Sequence, residues 1–350
     1  MSTSAAGLQA RRFDDPGDRV DESGEERLLQ QLVQGAGHPP GRGGPVIVGS
    51  GDDAAVWRPV AGTDVVLSQD AVVEGEDFRR SWITPWQLGR RCLAVALSDL
   101  AACGAEPAWC LVTVCAPEST RVNDLLALQA GLVEAAAEWG CALLGGDLSR
   151  IAGPLVVDVS VGGVAPAGTA LRRDAGRPGD LLMVTGSLGR AAAGLHSLMR
   201  PAEPGDVVDE EWRAAQRTPV PRLREGVALR ELGLRCAGDL SDGLLVDAGR
   251  TAAASGCAAE LWLERLPVAA ELAARFPQMW PELALGGGED FELLVAVPMA
   301  RSGAVLDGWP RSLAPLTVVG RLHEGTGIRL RSGEGGEQVP LPAVRSRHFG

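Results

Sequence analysis

Apolar and polar residues along the 350-residue chain fall into short blocks that change period. VNDLLALQAGLVEAAAEWG (122–140) carries Leu125, Leu128, Leu132 and Ala135 or Ala136 on one stripe, which predicts an amphipathic helix. GRRCLAVALSDLAACG (89–104) is apolar all round and predicts a buried helix ending at Gly104. Near the start, SGEERLLQQLV (23–33) predicts a short helix opened by Glu25 and Glu26, and GAGHPPGRGG (35–44) a loop. Short runs rich in β-branched residues predict strands: PVIVGS, DVVLSQD, AWCLVTVCAP, CALLGGD and PLVVDVSVGGVAP. Beyond 166 the alternation restarts with the strand DLLMVTG, the helices SLGRAAAGLHSLM and RLREGVALREL, and RCAGDLSD as a strand running into a turn. The helix GLLVDAGRTAAASG and the strands CAAELWL, FELLVAVP and LTVVGRL complete it.

Strands and helices mixed in two halves of similar size predict an α/β (α+β) chain of two domains. The Gly-, Pro- and Arg-rich stretch from Pro166 to Asp180 is the seam between them. The division expected is a solvated tail over 1–22, an N-terminal domain over 23–165 and a C-terminal α/β domain over 166–350.

Composition narrows the chemistry. All 33 basic residues are Arg, and the chain has neither Lys nor Tyr. A phosphate-binding loop with its Lys, a protein-kinase strand Lys and a Lys imine are therefore excluded. The formal charge of −12 argues against a nucleic-acid partner. No apolar run approaches a membrane span, and the acidic N-terminus lacks the apolar stretch of a secretory signal, so a cytoplasmic protein is expected. Seven Cys without a CxxC pair read as free thiols, mostly buried. Four scattered His give no zinc spacing.

What remains distinctive is a set of Asp residues placed beside Gly or Ser: Asp52 and Asp53, Asp70 after Ser68 and Gln69, Asp99, Asp147 after Gly145 and Gly146, and Asp239 and Asp242 flanking Ser241. Most follow an apolar run, so each carboxylate is expected at a turn where a strand ends. One such residue is ordinary turn chemistry. Five such blocks together supply hard oxygen donors suited to Mg²⁺, with glycines that let a phosphate approach backbone N–H groups. An acidic chain meets a nucleoside triphosphate most readily with divalent cations between them. Arg172 and Arg173 in the seam are the nearest side-chain phosphate contacts, or else a solvated surface pair.

In order and content these blocks resemble the thiamine-monophosphate kinases, within the superfamily of aminoimidazole ribonucleotide synthetase. The resemblance runs from GDDAAV through SQDAVVEGEDF, LAVALSDLAACGAEPAW, LLGGDLSR, RPGDLLMVTGSLGRAAAGL, DLSDGLLVDAGR and GGGEDFELLVAVP to VVGRLHEGTGI. It implies an N-terminal ATP/Mg-binding and dimerisation domain, whose sheet pairs across a homodimer into a barrel, and a C-terminal α/β domain. The implied reaction is direct transfer of the γ-phosphate of ATP to thiamine monophosphate with several Mg²⁺ ions and no covalent enzyme intermediate. Carried over by motif, Asp53, Ser68, Gln69, Asp70, Asp99, Asp147, Asp239 and Asp242 stand in the metal-ligand positions, with Asp70 and Asp147 the most critical. Gly146, Asp147, Arg173 and Ser241 are implied to bind ATP, and Asp77 and Glu289 stand where the acceptor is bound.

The chain departs from the family at Gln69 for Thr, where the metal contact is lost or made by backbone, and at Asp77 for His. Ala343 stands for a C-terminal Trp, and Leu148-Ser149 for Thr-Thr. These cluster at the acceptor end. A Mg-ATP phosphotransferase with another acceptor and a non-catalytic nucleotide-binding paralogue therefore stand as alternatives. Relatives that need a C-terminal Cys or an N-terminal Lys do not fit a chain ending His348-Phe349-Gly350 without Lys.

Overall fold

The computed structural model describes residues 5–13, 15–19, 25–36, 46–48, 54–200 and 207–342. The chain divides into two compact units, residues 1–100 with 106–166, and 101–105 with 167–350.

The first unit contains α1 (Ala5–Ala10), α2 (Glu25–Gly35), β1 (Val46–Val48), β2 (Val56–Trp57), β3 (Thr63–Val73), α3 (Pro85–Ala102), β4 (Glu106–Ala116), α4 (Val122–Glu138), β5 (Ala142–Arg150) and β6 (Val156–Pro166). The last two residues of α3 group with the second unit. Its main sheet has the order β3-β6-β4-β5, with β4 and β5 parallel and the other neighbours antiparallel. Leu88, Leu93 and Leu97 of α3 and Leu125, Leu128 and Leu132 of α4 are buried. The i, i+3/i+4 spacing puts the α4 set on one stripe, whereas α3 is buried on most of its circumference. The two helices cross at glycines: a Cβ on Gly89 would run into the Leu128 carbonyl, and one on Gly131 into the Trp86 carbonyl. Only residues without a side chain permit that approach. On the sheet's other face Leu67 is 64% exposed, and Val65 and Leu111 are exposed as well.

Two expectations change here. The segment read as a solvated tail is anchored over its described residues: α1 leads into Arg11, whose Nε lies 2.6 Å from Asp124 Oδ1, and into buried Phe13, stacked on Phe78. One aromatic ring and one buried ion pair are enough to order a segment whose composition alone is that of a tail. The Asp blocks also do not all end strands. Ser68, Gln69 and Asp70 lie in the middle of β3 and Asp147 lies inside β5, while Asp99 sits within α3, the helix expected over 89–104. Ladder partners on β6 and β4 carry these strands through residues that locally favour turns.

The second unit is built on a seven-stranded sheet. Its elements are β7 (Leu181–Thr185), α5 (Arg190–Leu198), α6 (Val207–Arg217), α7 (Leu223–Glu231), β8 (Cys236–Asp239), α8 (Leu244–Ala254), β9 (Ala258–Trp262), α9 (Ala270–Arg275), α10 (Trp280–Gly286), β10 (Leu293–Val297), α11 (Ser302–Gly308), β11 (Leu316–His323), β12 (Ile328–Arg331) and β13 (Gln338–Val339). The strand order is β13-β12-β9-β11-β7-β10-β8, antiparallel except for β12 against β9. Every residue of β7, β8, β9 and β10 is buried, so these strands are covered on both faces. Leu182, Val184, Leu244, Ala248, Leu261 and Leu294 belong to the main core, and a smaller cluster surrounds Trp212.

Candidate functional site

In the first unit, Ser68, Gln69 and Asp70 follow one another on β3 and so alternate in face. Ser68 and Asp70 share the half-buried side. There Ser68 Oγ donates to Asp99 Oδ2 at 2.5 Å, joining two of the expected ligands. Gln69 points to the open side, and its Nε2 donates to both oxygens of Asp158 at 2.8 and 2.9 Å. Registers across the sheet put Asp70 in one row with Val159, Val112 and Gly146, and Asp147 in the next row with Ala71, Asp158 and Thr113. Neighbouring rows face opposite sides. Asp147 is exposed and accepts from Ser149 Oγ at 2.9 Å.

Gly146 lies so close to β4 that a Cβ there would meet the Val112 carbonyl. Beside it an apolar cavity of about 130 Å³ is lined by Leu32 of α2, Leu128 and Leu132 of α4, Val112, Gly146 and Asp147. Asp77 stands just after β3. Its Oδ2 accepts from Val73 N at 2.7 Å, which closes the turn and uses the carboxylate locally. Asp53 and Ala343 lie outside the described residues.

In the second unit the remaining positions gather at one end of β8. Asp239, its last residue, is buried, and Arg173 Nη2 donates to its Oδ1 at 3.0 Å. The neighbouring Arg172 instead pairs with Asp174 on the surface. Ser241 and Asp242 follow in the turn before α8. That turn is bound to the GGGEDF loop: Glu289 N donates to Ser241 O at 2.7 Å and Phe291 N to Leu240 O at 3.0 Å. Glu289 and Phe291 hold positive φ, 59° and 48°. Each such residue without glycine's freedom stores about 1–3 kcal/mol that surrounding bonds must hold. The Glu289 carboxylate accepts from Gln216 Nε2.

Several charged groups here were given no role from sequence. Asp247 on α8 accepts from Asp242 N through Oδ2 at 2.9 Å, and Arg250 donates to both Asp242 and Asp247. Burial, with Asp239 nearby, pushes the Asp247 carboxyl up to about 7. Asp290 takes the Gly189 and Ala191 N–H groups at the start of α5, and burial pushes it up to about 7 as well. Glu292, buried, is clamped by Arg222 through two bonds of 2.7 and 2.6 Å and by Thr185 Oγ1 at 2.7 Å. Burial raises the Glu292 pKa against the pull of Arg222. A polar cavity of about 400 Å³ opens between Arg190, Glu211, Thr218, Arg222 and Asp290. The visible signal for Asp247 and Arg250 was their i, i+3 spacing on the helix that follows an Asp-Gly turn.

Among the described residues no three carboxylate, imidazole or thiol groups converge as ligands of one metal ion. The carboxylates come instead singly or in pairs, several already met by a hydroxyl or a guanidinium.

Family models describe the chain as AIR synthase related protein, with the N-terminal domain matching residues 51–165 and the C-terminal domain residues 177–333. The thiamine-monophosphate kinase of Escherichia coli K12 is 36% identical over 279 residues, 79% of this chain and 84% of the relative. That of Bacillus subtilis is 32% identical over 283 residues, 80% and 87% of the two chains. Among solved structures, thiamine-monophosphate kinase from Stenotrophomonas maltophilia K279a superposes with a TM-score of 0.76 at 33% identity, covering 88% of this chain and 95% of that one. AaThiL complexed with AMPPCP and TMP superposes with a TM-score of 0.72 at 26% identity, covering 93% and 98%. On identity above 30% across about four-fifths of its length, and on a two-domain mixed α/β fold shared with these structures, the chain belongs to the thiamine-monophosphate kinase family.

Proposed function

We propose that this chain transfers the γ-phosphate of ATP to thiamine monophosphate, giving thiamine diphosphate and ADP, with Mg²⁺ ions held between its carboxylates and the phosphates. The observation that carries the reading is the ordered set of Asp blocks, together with a relative of the same fold that is complexed with AMPPCP and TMP. Hard carboxylate oxygens suit Mg²⁺, which is commonly held by one or two carboxylates plus substrate phosphates and not by an all-protein cage. Single and paired carboxylates at Asp70, Asp99, Asp147, Asp239 and Asp242 fit that mode, as does the hydroxyl of Ser68. Gln69, with its amide on Asp158, would serve only through its backbone carbonyl. Asp53 completes the proposed ligand set.

Bound Mg²⁺ would neutralise the charge that develops on the transferred phosphoryl group. The protein's own share is positioning. The apolar cavity beside Gly146 would receive the adenine. Arg173, half exposed on Asp239, can turn one guanidinium N–H to a phosphate oxygen. Ser241 would contact the nucleotide from the turn that Glu289 N fastens, and Glu289 would face the cationic thiamine moiety. The acceptor's phosphate oxygen attacks the γ-phosphorus as the bond to the β,γ-bridging oxygen breaks, so no protein nucleophile is required.

Residues 23–165 would form the ATP/Mg-binding and dimerisation domain, and residues 166–350 the C-terminal α/β domain that carries Arg173, Ser241 and Glu289. Exposed Val65, Leu67 and Leu111 on the open sheet face support the dimer, in which two such sheets would close a barrel. Seven free Cys suit a cytoplasmic enzyme, and no helix among the described residues is long and apolar enough to cross a membrane.

A second reading keeps the Mg-ATP site and changes the acceptor, because Asp77 spends its carboxylate on Val73 N where an acceptor contact is expected. Following ADP release with a panel of phosphorylated acceptors tests both. Turnover confined to thiamine monophosphate supports the first reading, and turnover with another acceptor alone supports the second. No ADP with any acceptor, and no ATP binding, would return the chain to a scaffold role.

A further inference from the structure

Arg250 sits on α8 with one nitrogen, Nη1, bonded to the Asp242 carboxylate and, at 3.0 Å, to Asp247 Oδ1. The two acids differ in freedom. Asp247 is almost fully buried, with a side chain 2% exposed, and its second oxygen is held by Asp242 N. Asp242 is partly open, and the Arg250 side chain is half exposed. The guanidinium can therefore leave for solvent, whereas Asp247 cannot move without losing its bond to the turn. A guanidinium and a divalent cation also compete for the same carboxylate lone pairs, because both are bound through them.

From this geometry we infer that Arg250 is the resident counter-cation of Asp242, a positioning residue that a divalent ion must displace before Asp242 can act as its ligand. The inference rests on the Mg²⁺ reading given above. With Arg250 in place, the charge of Asp242 and Asp247 is partly offset and the β8–α8 turn keeps its shape in the absence of metal. The same contact raises the metal concentration needed to fill the site. When the guanidinium swings out, the Asp247 bond to Asp242 N remains and holds the Asp242 backbone for the incoming ion.

The test is binding of Mn²⁺, a spectroscopic substitute for Mg²⁺, to the full-length protein with AMPPCP present, followed by loss of the free-ion EPR signal. Arg250→Gln removes the competing charge and should tighten Mn²⁺ binding by about two- to fivefold, the range expected when a half-exposed ion pair stops competing. Arg250→Lys, which keeps the charge, should stay near the wild type. Thermal unfolding of the metal-free proteins should fall slightly for Arg250→Gln, since Asp242 and Asp247 then lose the Arg250 charge they share. A purely structural role would lower stability without tightening metal binding. Unchanged or weaker Mn²⁺ binding in Arg250→Gln, with the wild type binding normally, overturns this inference alone. Absence of Mn²⁺ binding in the wild type overturns the Mg²⁺ reading itself. Should Arg250→Gln not fold, Arg250→Met, of similar reach and no charge, carries the same expectation.

Discussion

The two sheets treat the same kind of residue in opposite ways. In the first unit the sheet is covered by helices on one face only, so its strands alternate, and polar side chains such as Ser68, Gln69 and Asp70 sit mid-strand without disturbing the ladder. In the second unit β7, β8, β9 and β10 are buried throughout, which leaves no strand position for an unpaired carboxylate. The acids there lie at strand ends and in turns, or are clamped, as Glu292 is by Arg222. The difference shows that a carboxylate's place follows from how many faces of its sheet are covered.

Breaking the clamp in the second unit should have the largest effect. Arg222→Ala leaves the Glu292 charge buried and uncompensated and should cost about 3–5 kcal/mol of stability. Chemical denaturation checks this, and the double variant Arg222→Met/Glu292→Leu should recover most of the loss. Next come two acids on the strands of the first unit. On the proposed Mg²⁺ reading, Asp70→Asn and Asp147→Asn each remove a ligand charge and almost no volume, so turnover should fall about 10²–10³-fold while the unfolding midpoint stays near the wild type. Steady-state kinetics beside thermal unfolding separates the two quantities.

On the open face, where the proposed dimer would form, Leu67→Arg should leave the fold of one subunit within about 0.5 kcal/mol and abolish dimerisation. Sedimentation measures it directly, and a dimer that survives the substitution would move the interface elsewhere. A last test, of a pH-dependent effect, concerns Asp290. Its carboxyl, raised to about 7 by burial, keeps its proton in the folded chain after the unfolded chain has released one. The folded state therefore loses stability as pH rises from about 4 to about 7, and the loss is constant above that. Asp290→Asn cannot ionise, so its midpoint relative to the wild type should improve across that window and then level off. A midpoint difference flat from pH 4 to 8 would contradict the burial argument.

Much of the architecture was legible in the pattern of apolar residues. The helix α4 declares itself through Leu125, Leu128 and Leu132, and the β-branched runs locate nearly all the central strands. What escaped has physical causes. α6 carries a strongly polar sequence in which Trp212 and Gln216 supply the buried contacts, so no apolar stripe announces it. The Ser and Gly next to Asp70 and Asp147 suggested turns, but ladder pairing with β6 and β4 outweighs that local preference. Of the candidate site, the Asp positions were readable as a set, while their partners were not. That Arg250 meets Asp242, that Gln216 meets Glu289 and that Gln69 turns to Asp158 depend on contacts between segments far apart in the chain or on opposite sides of a turn.

The central claim is that the acids of this chain serve Mg-ATP phosphoryl transfer to thiamine monophosphate. The most direct measurement incubates the purified protein with ATP and thiamine monophosphate, with and without MgCl₂, and follows thiamine diphosphate by chromatography. The account predicts thiamine diphosphate and ADP in equal amounts, formed only with the divalent cation. Hydrolysis of ATP to ADP without thiamine diphosphate, or product formed equally well in the presence of a metal chelator, would contradict it.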